Sequence, residues 1–75
     1  MSPLPVLALT HDEDAEIQAI AAEGPLHARL HELGLVPGQR VRLLRGGSPC
    51  ILLVAGRTRL CLRSEEADAV LVRPV

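Results

Sequence analysis

The sequence contains no phenylalanine, tyrosine or tryptophan among its 75 residues. Proteins that bind single-stranded nucleic acids stack the bases on aromatic rings, and polyproline-binding modules line their grooves with aromatic side chains. Neither mechanism is available to this chain in its usual form. Because 48% of the residues are nevertheless hydrophobic, we expect a core built from leucine, valine, isoleucine and alanine.

Motifs for catalysis and for membrane insertion are also missing. We find no glycine-rich nucleotide loop and no nucleophile motif, so we do not expect an enzyme. No apolar run approaches the roughly 18 residues of a membrane span, and the opening MSPLPVLAL lacks the basic segment of a secretory signal. With only two cysteines, the chain is expected to be cytoplasmic with reduced thiols. Its length allows one domain, residues 1–75.

Charge is divided unevenly along the chain, and all eight basic residues are arginine. Residues 1–32 carry a charge of −5 and residues 33–75 a charge of +4, which together give the net charge of −1. Such a division can steer association with a charged partner, although an ordinary solvated surface would look the same. A net charge so close to zero, without a recognition helix, argues against nucleic-acid binding.

A short helix is predicted over residues 25–33. Pro25 suits the first helical position, where its missing N–H is not needed. An apolar stripe follows at helical spacing, formed by Leu26, Leu30 and Leu33. A helix of this length is marginal in water by itself, so the stripe must pack against the rest of the protein.

The segment GLVPG, residues 34–38, predicts how that helix ends. Gly34 suits the left-handed position of a Schellman motif, which also requires an apolar contact between Leu30 and Leu35. Pro37 and Gly38 then fit the two central positions of a type II turn. The segment therefore ends the helix and directs the chain into a strand.

Most of the remaining sequence has strand periodicity. Strands are predicted over 39–45, 50–56, 59–63 and 70–73, residues 6–9 are expected to be extended, and residues 15–22 fit either helix or strand. Residues 64–69 are expected to form a turn with Ser64 as a cap. Short strands with one helix and frequent turns favour a small barrel.

Cys50 and Cys61 flank the predicted hairpin turn. With a two-residue turn at 56–57, residue 52 opposes residue 61, so both cysteines lie on one face of the hairpin. We expect them to be near each other, partly buried and unbonded. Joint ligation of iron or zinc is the weaker alternative.

His27 and His31 are four residues apart on the predicted helix, so both rings lie on one side of it. Two imidazoles at this spacing can hold one zinc or similar divalent ion. Glu23, Glu32, His11 or a second molecule would have to complete the shell. The alternative is a pair of exposed polar side chains.

Arginines could form a surface for a partner. Arg40 and Arg42 share one strand face, Arg59 and Arg63 share another, and Arg29 projects from the helix. If closure of the barrel brings these faces together, they form a basic patch for an acidic protein or for phospholipid headgroups beneath the inner membrane. Scattered solubilising charge is the alternative.

The segment HARLHELGLVPGQRVRLLR, residues 27–45, resembles the ferrous iron transport protein A family, FeoA. Further matches are Pro49, Gly56, the LCLR at 60–63 and Glu66, so the resemblance covers about residues 7–73. The chain departs from the family in the turn HDED and in carrying one helix arginine where a pair is common. The matching residues of the first segment are Arg29, Leu30, Leu33, Gly34, Leu35, Pro37, Gly38 and Val41.

The resemblance implies a mainly β fold, an SH3-like barrel of about five strands with one short helix inserted after the first long strand. This favours a strand over residues 15–22. It also implies a small cytoplasmic accessory protein of bacterial ferrous iron uptake, which acts by protein–protein contact on the cytoplasmic region of the FeoB GTPase-permease and requires no cofactor. The alternative is a zinc- or iron-binding barrel whose histidine pair bridges molecules or senses metal. A homodimer that covers exposed leucine and valine stays open.

Overall fold

The computed structural model describes residues 2–75. Six strands, two α-helices and one 3-10 turn follow one another along the chain. In order they are β1 (Leu4–Pro5), the 3-10 turn (Val6–Ala8), β2 (Asp14–Ile20), α1 (Gly24–Glu32), β3 (Arg40–Arg45), β4 (Cys50–Val54), β5 (Thr58–Leu62), α2 (Ser64–Asp68) and β6 (Val70–Pro74).

The six strands form one antiparallel sheet in the order β1-β6-β2-β3-β4-β5. The strands curve around a single apolar core, and α1 is inserted between β2 and β3, after the first long strand. The predicted mainly β fold with one inserted helix is therefore confirmed. The sixth strand is the two-residue β1. None of the helices formed by residues 2–75 is long and apolar enough to cross a membrane.

The core is aliphatic, as the composition requires. Alternate residues of each long strand point into it, because side chains of a strand face opposite sides in turn. Leu30 from α1 and Leu35 from the following turn fill its centre. The largest fully buried side chains are Ile17, Leu30, Leu35, Leu52, Leu62, Val6, Val70 and Val72.

The end of α1 has the predicted Schellman geometry. The Gly34 N–H donates to the His31 carbonyl at 3.0 Å, and the Leu35 N–H donates to the Leu30 carbonyl, also at 3.0 Å. Gly34 has a φ of +89°, in the left-handed region that glycine adopts without strain. Leu30 and Leu35 are both fully buried.

The type II turn after α1 is also confirmed. The Gln39 N–H donates to the Val36 carbonyl at 3.1 Å, and Gly38 has a φ of +91°. The turn is joined to the sheet as well, because the Gly38 N–H donates to the carbonyl of Ile17 at 2.8 Å. The segment therefore fixes the start of β3 against β2.

Two local predictions are wrong. Residues 6–8 form a 3-10 turn rather than an extended stretch: the Leu9 N–H donates to the Val6 carbonyl, which turns both side chains into the core. Residues 64–68 form α2 instead of a turn, and the residue that caps it is Arg63, with Ser64 as the first helical residue.

The prediction that both cysteines lie on one face is wrong as well. Three residues, 55–57, connect the paired Val54 and Thr58, so Cys61 lies opposite Ile51 and Cys50 lies opposite Leu62. A register change of one residue moves a side chain to the other face of a sheet. Cys50 is fully buried, Cys61 is exposed, and the two thiols are unbonded. Burial raises the pKa of the Cys50 thiol.

Thiol labelling checks this register. We expect a maleimide to modify Cys61 in the folded protein and to leave Cys50 unmodified, because Cys50 is inaccessible and its thiol is harder to ionise. Peptide mass spectrometry after a short exposure locates the label, and the same reaction in denaturant should modify both. Equal labelling of the two cysteines in native buffer would show that the register is different.

Replacement of Gly34 tests the helix end. An L-residue in the left-handed conformation costs about 1–2 kcal/mol, so Gly34→Ala should lower the free energy of unfolding by that amount in urea denaturation. Gly46→Ala is the matched control, because Gly46 lies outside the left-handed region and its new methyl group would meet only Leu43 Cδ2, at 3.9 Å. Equal losses in the two variants would mean that the Gly34 conformation is not what limits stability.

Candidate interaction surface

The outer face of the sheet brings arginines from separate strands into one row. Arg42 on β3 pairs with Asp14 on β2 and with Leu53 on β4, and Leu53 in turn pairs with Arg59 on β5. Because all are on the side away from the core, Arg42 and Arg59 lie on the same surface. Arg40, two residues before Arg42, is exposed on this surface too.

A β-bulge adds a further arginine to this surface. The pairing of β3 with β4 shifts between Leu43 and Arg45, so Arg45 lies opposite the outward-facing Ile51. Strict alternation after Arg40 and Arg42 would have turned Arg45 toward the core. No sequence signal marked the bulge, so Arg45 was missed as a candidate residue.

Two shallow depressions lie on this surface, with volumes of about 270 and 330 Å³. The residues that line the first include Arg40, Arg42, Leu53 and the acidic Asp14; those that line the second include Leu44, Arg45, Ile51, Arg59 and the acidic Asp12. The leucines and the isoleucine are half-buried, so apolar side chains lie among the charged ones. We call this surface the arginine face and define it by Arg40, Arg42, Arg45, Arg59, Leu44, Ile51 and Leu53.

Only one arginine of the arginine face has a carboxylate partner within residues 2–75. Arg42 donates to Asp14 through Nε at 2.8 Å from Oδ1 and through Nη2 at 3.2 Å from Oδ2. This pairing lowers the pKa of Asp14 and raises that of Arg42. Arg40, Arg45 and Arg59 have no such partner, so the face presents unpaired positive charge to solvent.

The other two candidate arginines, Arg29 and Arg63, lie away from the arginine face. Both donate to the buried carboxylate of Glu66, Arg29 through its side chain and Arg63 through its backbone. The Arg63 backbone N–H donates to Glu66 Oε1, and Arg29 Nε donates to Oε2, both at 2.8 Å. The bond from the Arg63 backbone, and to a smaller extent the bond from Arg29, holds the pKa of Glu66 below its ordinary value. Arg29 thus joins α1 to α2, a structural role that the sequence did not reveal.

The histidine pair lies on α1 as predicted. The ring centroids of His27 and His31 are 6.5 Å apart and the ring planes differ by 26°. Both residues are exposed. Within residues 2–75 no three side chains of histidine, cysteine, aspartate or glutamate are arranged to hold a metal, so Glu23, Glu32 and His11 do not complete a shell in this chain.

Comparisons with known proteins agree with the fold. The FeoA domain model matches residues 4–74. FeoA of Stenotrophomonas maltophilia is 33% identical and its match covers 93% of this chain and 89% of that chain with a TM-score of 0.81. It is a prokaryotic SH3 domain protein crystallised with zinc, described as a candidate activating factor of bacterial ferrous iron transport.

Two further solved structures have the same fold. FeoA of Chlorobium tepidum is 31% identical, over 96% of this chain and 70% of that chain, with a TM-score of 0.85. IdeR of T. acidophilum is 24% identical, over all of this chain but 35% of that chain, with a TM-score of 0.88, a likeness of fold alone. No curated protein matches the sequence.

Glu66→Gln tests the contact between the two helices. A hydrogen bond to a charged group contributes more than a neutral one, so this variant should lose about 1–2 kcal/mol of unfolding free energy at neutral pH. Because folding lowers the pKa of Glu66, its stabilisation is present above the unfolded value of 4.5 and is lost as the pH falls through the folded value. The difference between wild type and variant in urea unfolding should therefore shrink in acid.

Glu65→Gln is the control for this measurement, since Glu65 is exposed on the same helix. It should unfold like the wild type at every pH. A difference between wild type and Glu66→Gln that stays constant from neutral pH to below pH 4 would contradict the assignment.

Proposed function

Because the chain belongs to the FeoA domain family, we propose that it is a cytoplasmic accessory protein of bacterial ferrous iron uptake that acts by contact with the FeoB permease. The family match over residues 4–74 is the observation that carries the proposal. The S. maltophilia relative, described as a candidate activating factor of the same process, supports it. The role requires a shaped and charged surface rather than catalytic groups.

We assign the partner contact to the arginine face. Its unpaired guanidinium groups from Arg40, Arg45 and Arg59 favour an acidic partner, since complementary charge speeds association and selects partners. Leu53 and Ile51 between them supply apolar area that a bound segment would cover. An acidic segment of the cytoplasmic region of FeoB with apolar side chains fits this combination. The same charge would hold the protein close to the anionic inner surface of the membrane.

Divalent-metal binding is the second candidate function. One observation favours it in this chain: His27 and His31 present two exposed imidazoles side by side. Zinc accepts histidine nitrogen as a ligand in tetrahedral sites, and two imidazoles supply half of such a shell. The accessory role needs no metal, so the two functions can be tested separately.

A binding experiment tests the accessory role. The purified protein should bind the cytoplasmic region of the cognate FeoB in biolayer interferometry, and binding should weaken with added salt. Arg59→Glu and Arg40→Glu should each weaken it about tenfold, or about 1.4 kcal/mol. Arg57→Glu is the matched control and should bind like the wild type, because Arg57 carries the same charge on an exposed side chain in the turn between β4 and β5, outside the arginine face.

The possible failures are distinct. If the wild type does not bind in any nucleotide or iron condition, the accessory role is wrong. If the wild type binds and neither Arg59→Glu nor Arg40→Glu weakens binding, the role stands and the arginine face is not the contact surface. Circular dichroism of each variant shows whether the fold is kept.

A further inference from the structure

The outer edge of β5 is open to pairing with another strand. The sheet ends in two edge strands, β1 and β5. β1 has only two residues, and one of them is Pro5, which has no N–H; a short strand and a proline both prevent further strands from adding to an edge. β5 has five residues without a proline, and it pairs with β4 without a bulge. Only β5 therefore presents an edge on which a strand of useful length can form.

The register of β4 shows which residues of β5 bond to it. The N–H of Ala55, directly after β4, donates to the Arg40 carbonyl of β3 at 3.0 Å. Successive residues of a strand bond to opposite neighbours, so the preceding residue, Val54, bonds to β5. Val54 pairs with Thr58, and every second residue of β5 from Thr58 onward thus bonds to β4.

Arg59 and Cys61, the residues in between, direct their backbone groups to the open edge. Their N–H and carbonyl groups form no hydrogen bond within residues 2–75. The next residue with this direction is Arg63, whose N–H donates to Glu66 Oε1 at 2.8 Å and whose carbonyl accepts from the Ala67 N–H at 2.9 Å. The open edge is therefore confined to the two donors and two acceptors of Arg59 and Cys61.

The side chains along this edge indicate what kind of strand it accepts. Arg59 is exposed on the outer side and has no carboxylate partner within residues 2–75. Leu60, on the inner side, packs against the core but is only half-buried. An added strand would place alternate residues beside these two side chains. Acidic residues on the outer side would pair with Arg59, and apolar residues on the inner side would complete the burial of Leu60.

A second copy of the chain does not suit this edge. Two β5 strands related by a twofold axis run antiparallel, and their free groups can pair Arg59 with Arg59, Arg59 with Cys61, or Cys61 with Cys61. The first register sets the two Arg59 side chains opposite each other, the second makes them diagonal neighbours, and the third sets Arg59 opposite Arg63. Like charges in these positions destabilise strand pairing, so the charge pattern favours an acidic partner over a second copy.

We propose that the partner protein binds by strand addition: an extended segment in which acidic and apolar residues alternate pairs with the open edge of β5. The backbone groups of Arg59 and Cys61 hold the segment, and the side chains of Arg59 and Leu60 select its sequence. The inference rests on the proposed accessory role and adds the way in which the partner is bound. It also explains why the contact lies beside the arginine face, since Arg59 belongs to both.

Amide hydrogen exchange of the full chain, followed by NMR, tests the proposal. In the protein alone, the amides of Arg59 and Cys61 should exchange rapidly, whereas those of Leu60 and Leu62, which bond to β4, should exchange slowly. Saturation with the cytoplasmic region of FeoB should slow the exchange of Arg59 and Cys61 at least about tenfold, because both amides become hydrogen-bonded. A partner that contacts only side chains would leave these two amides rapidly exchanging.

Cys61→Pro separates backbone pairing from side-chain contact. The Cys61 N–H is not part of the ladder with β4, and proline is tolerated on an edge strand where the N–H faces solvent. The variant should bind the cytoplasmic region of FeoB about tenfold more weakly or worse, because one main-chain bond is lost and the ring blocks the approach. Cys61→Ser is the matched control; it keeps the N–H and should bind like the wild type. Circular dichroism shows whether each variant is folded, and if Cys61→Pro is not, the exchange measurement decides.

The outcomes distinguish the strand addition from the role itself. If the wild type binds but Arg59 and Cys61 stay unprotected, or if a folded Cys61→Pro binds like Cys61→Ser, the strand addition is wrong and the accessory role stands. If the wild type does not bind, both are wrong. Protection of the two amides in the protein alone, together with a doubled mass in sedimentation, would mean that a second copy occupies the edge and would overturn the proposal.

Discussion

The hydrogen bond from the Leu35 N–H to the Leu30 carbonyl, closed around the left-handed Gly34, is the constraint on which the rest of this structure depends. It places two fully buried leucines at the centre of a thin aliphatic core. The chain leaves this point in two directions. On the N-terminal side of Gly34 lies α1, on which His27 and His31 are exposed. On its C-terminal side lies β3, which carries Arg40, Arg42, Leu44 and Arg45 of the arginine face.

Glu66 is the second connection that positions α1. A carboxylate this well buried is expensive unless its charge is satisfied by donors, and here a backbone N–H and a guanidinium supply them. Because Arg29 is paired with Glu66, its charge is already neutralised within the protein and is not offered to a partner. Arg40, Arg45 and Arg59 thus remain the arginines of the sheet that have no carboxylate partner within residues 2–75.

Much of the fold was predictable because its signals are local. Pro25, the leucine stripe and GLVPG define one helix and its end within fourteen residues, and each signal acts between neighbours in sequence. The wrong predictions concern features that depend on contacts with other parts of the fold or on the exact length of a turn. The 3-10 turn at 6–8 forms because Val6 and Leu9 reach a core that other elements create. The faces of Cys50 and Cys61 depend on a hairpin one residue longer than the two-residue turn that was assumed.

The sequence by itself determined an aliphatic core, one helix with a defined end and strands after it, because composition, periodicity and turn residues act locally. Membership of the FeoA domain family rests instead on the match of the family model over residues 4–74. The tertiary structure alone decided which charged residues meet. Arg42 and Arg59 are seventeen positions apart and share a row only through the registers of three strands, and Arg45 faces outward only because of a bulge. Pairing between strands sets these positions, and a period of two along one strand carries no information about its register with the next.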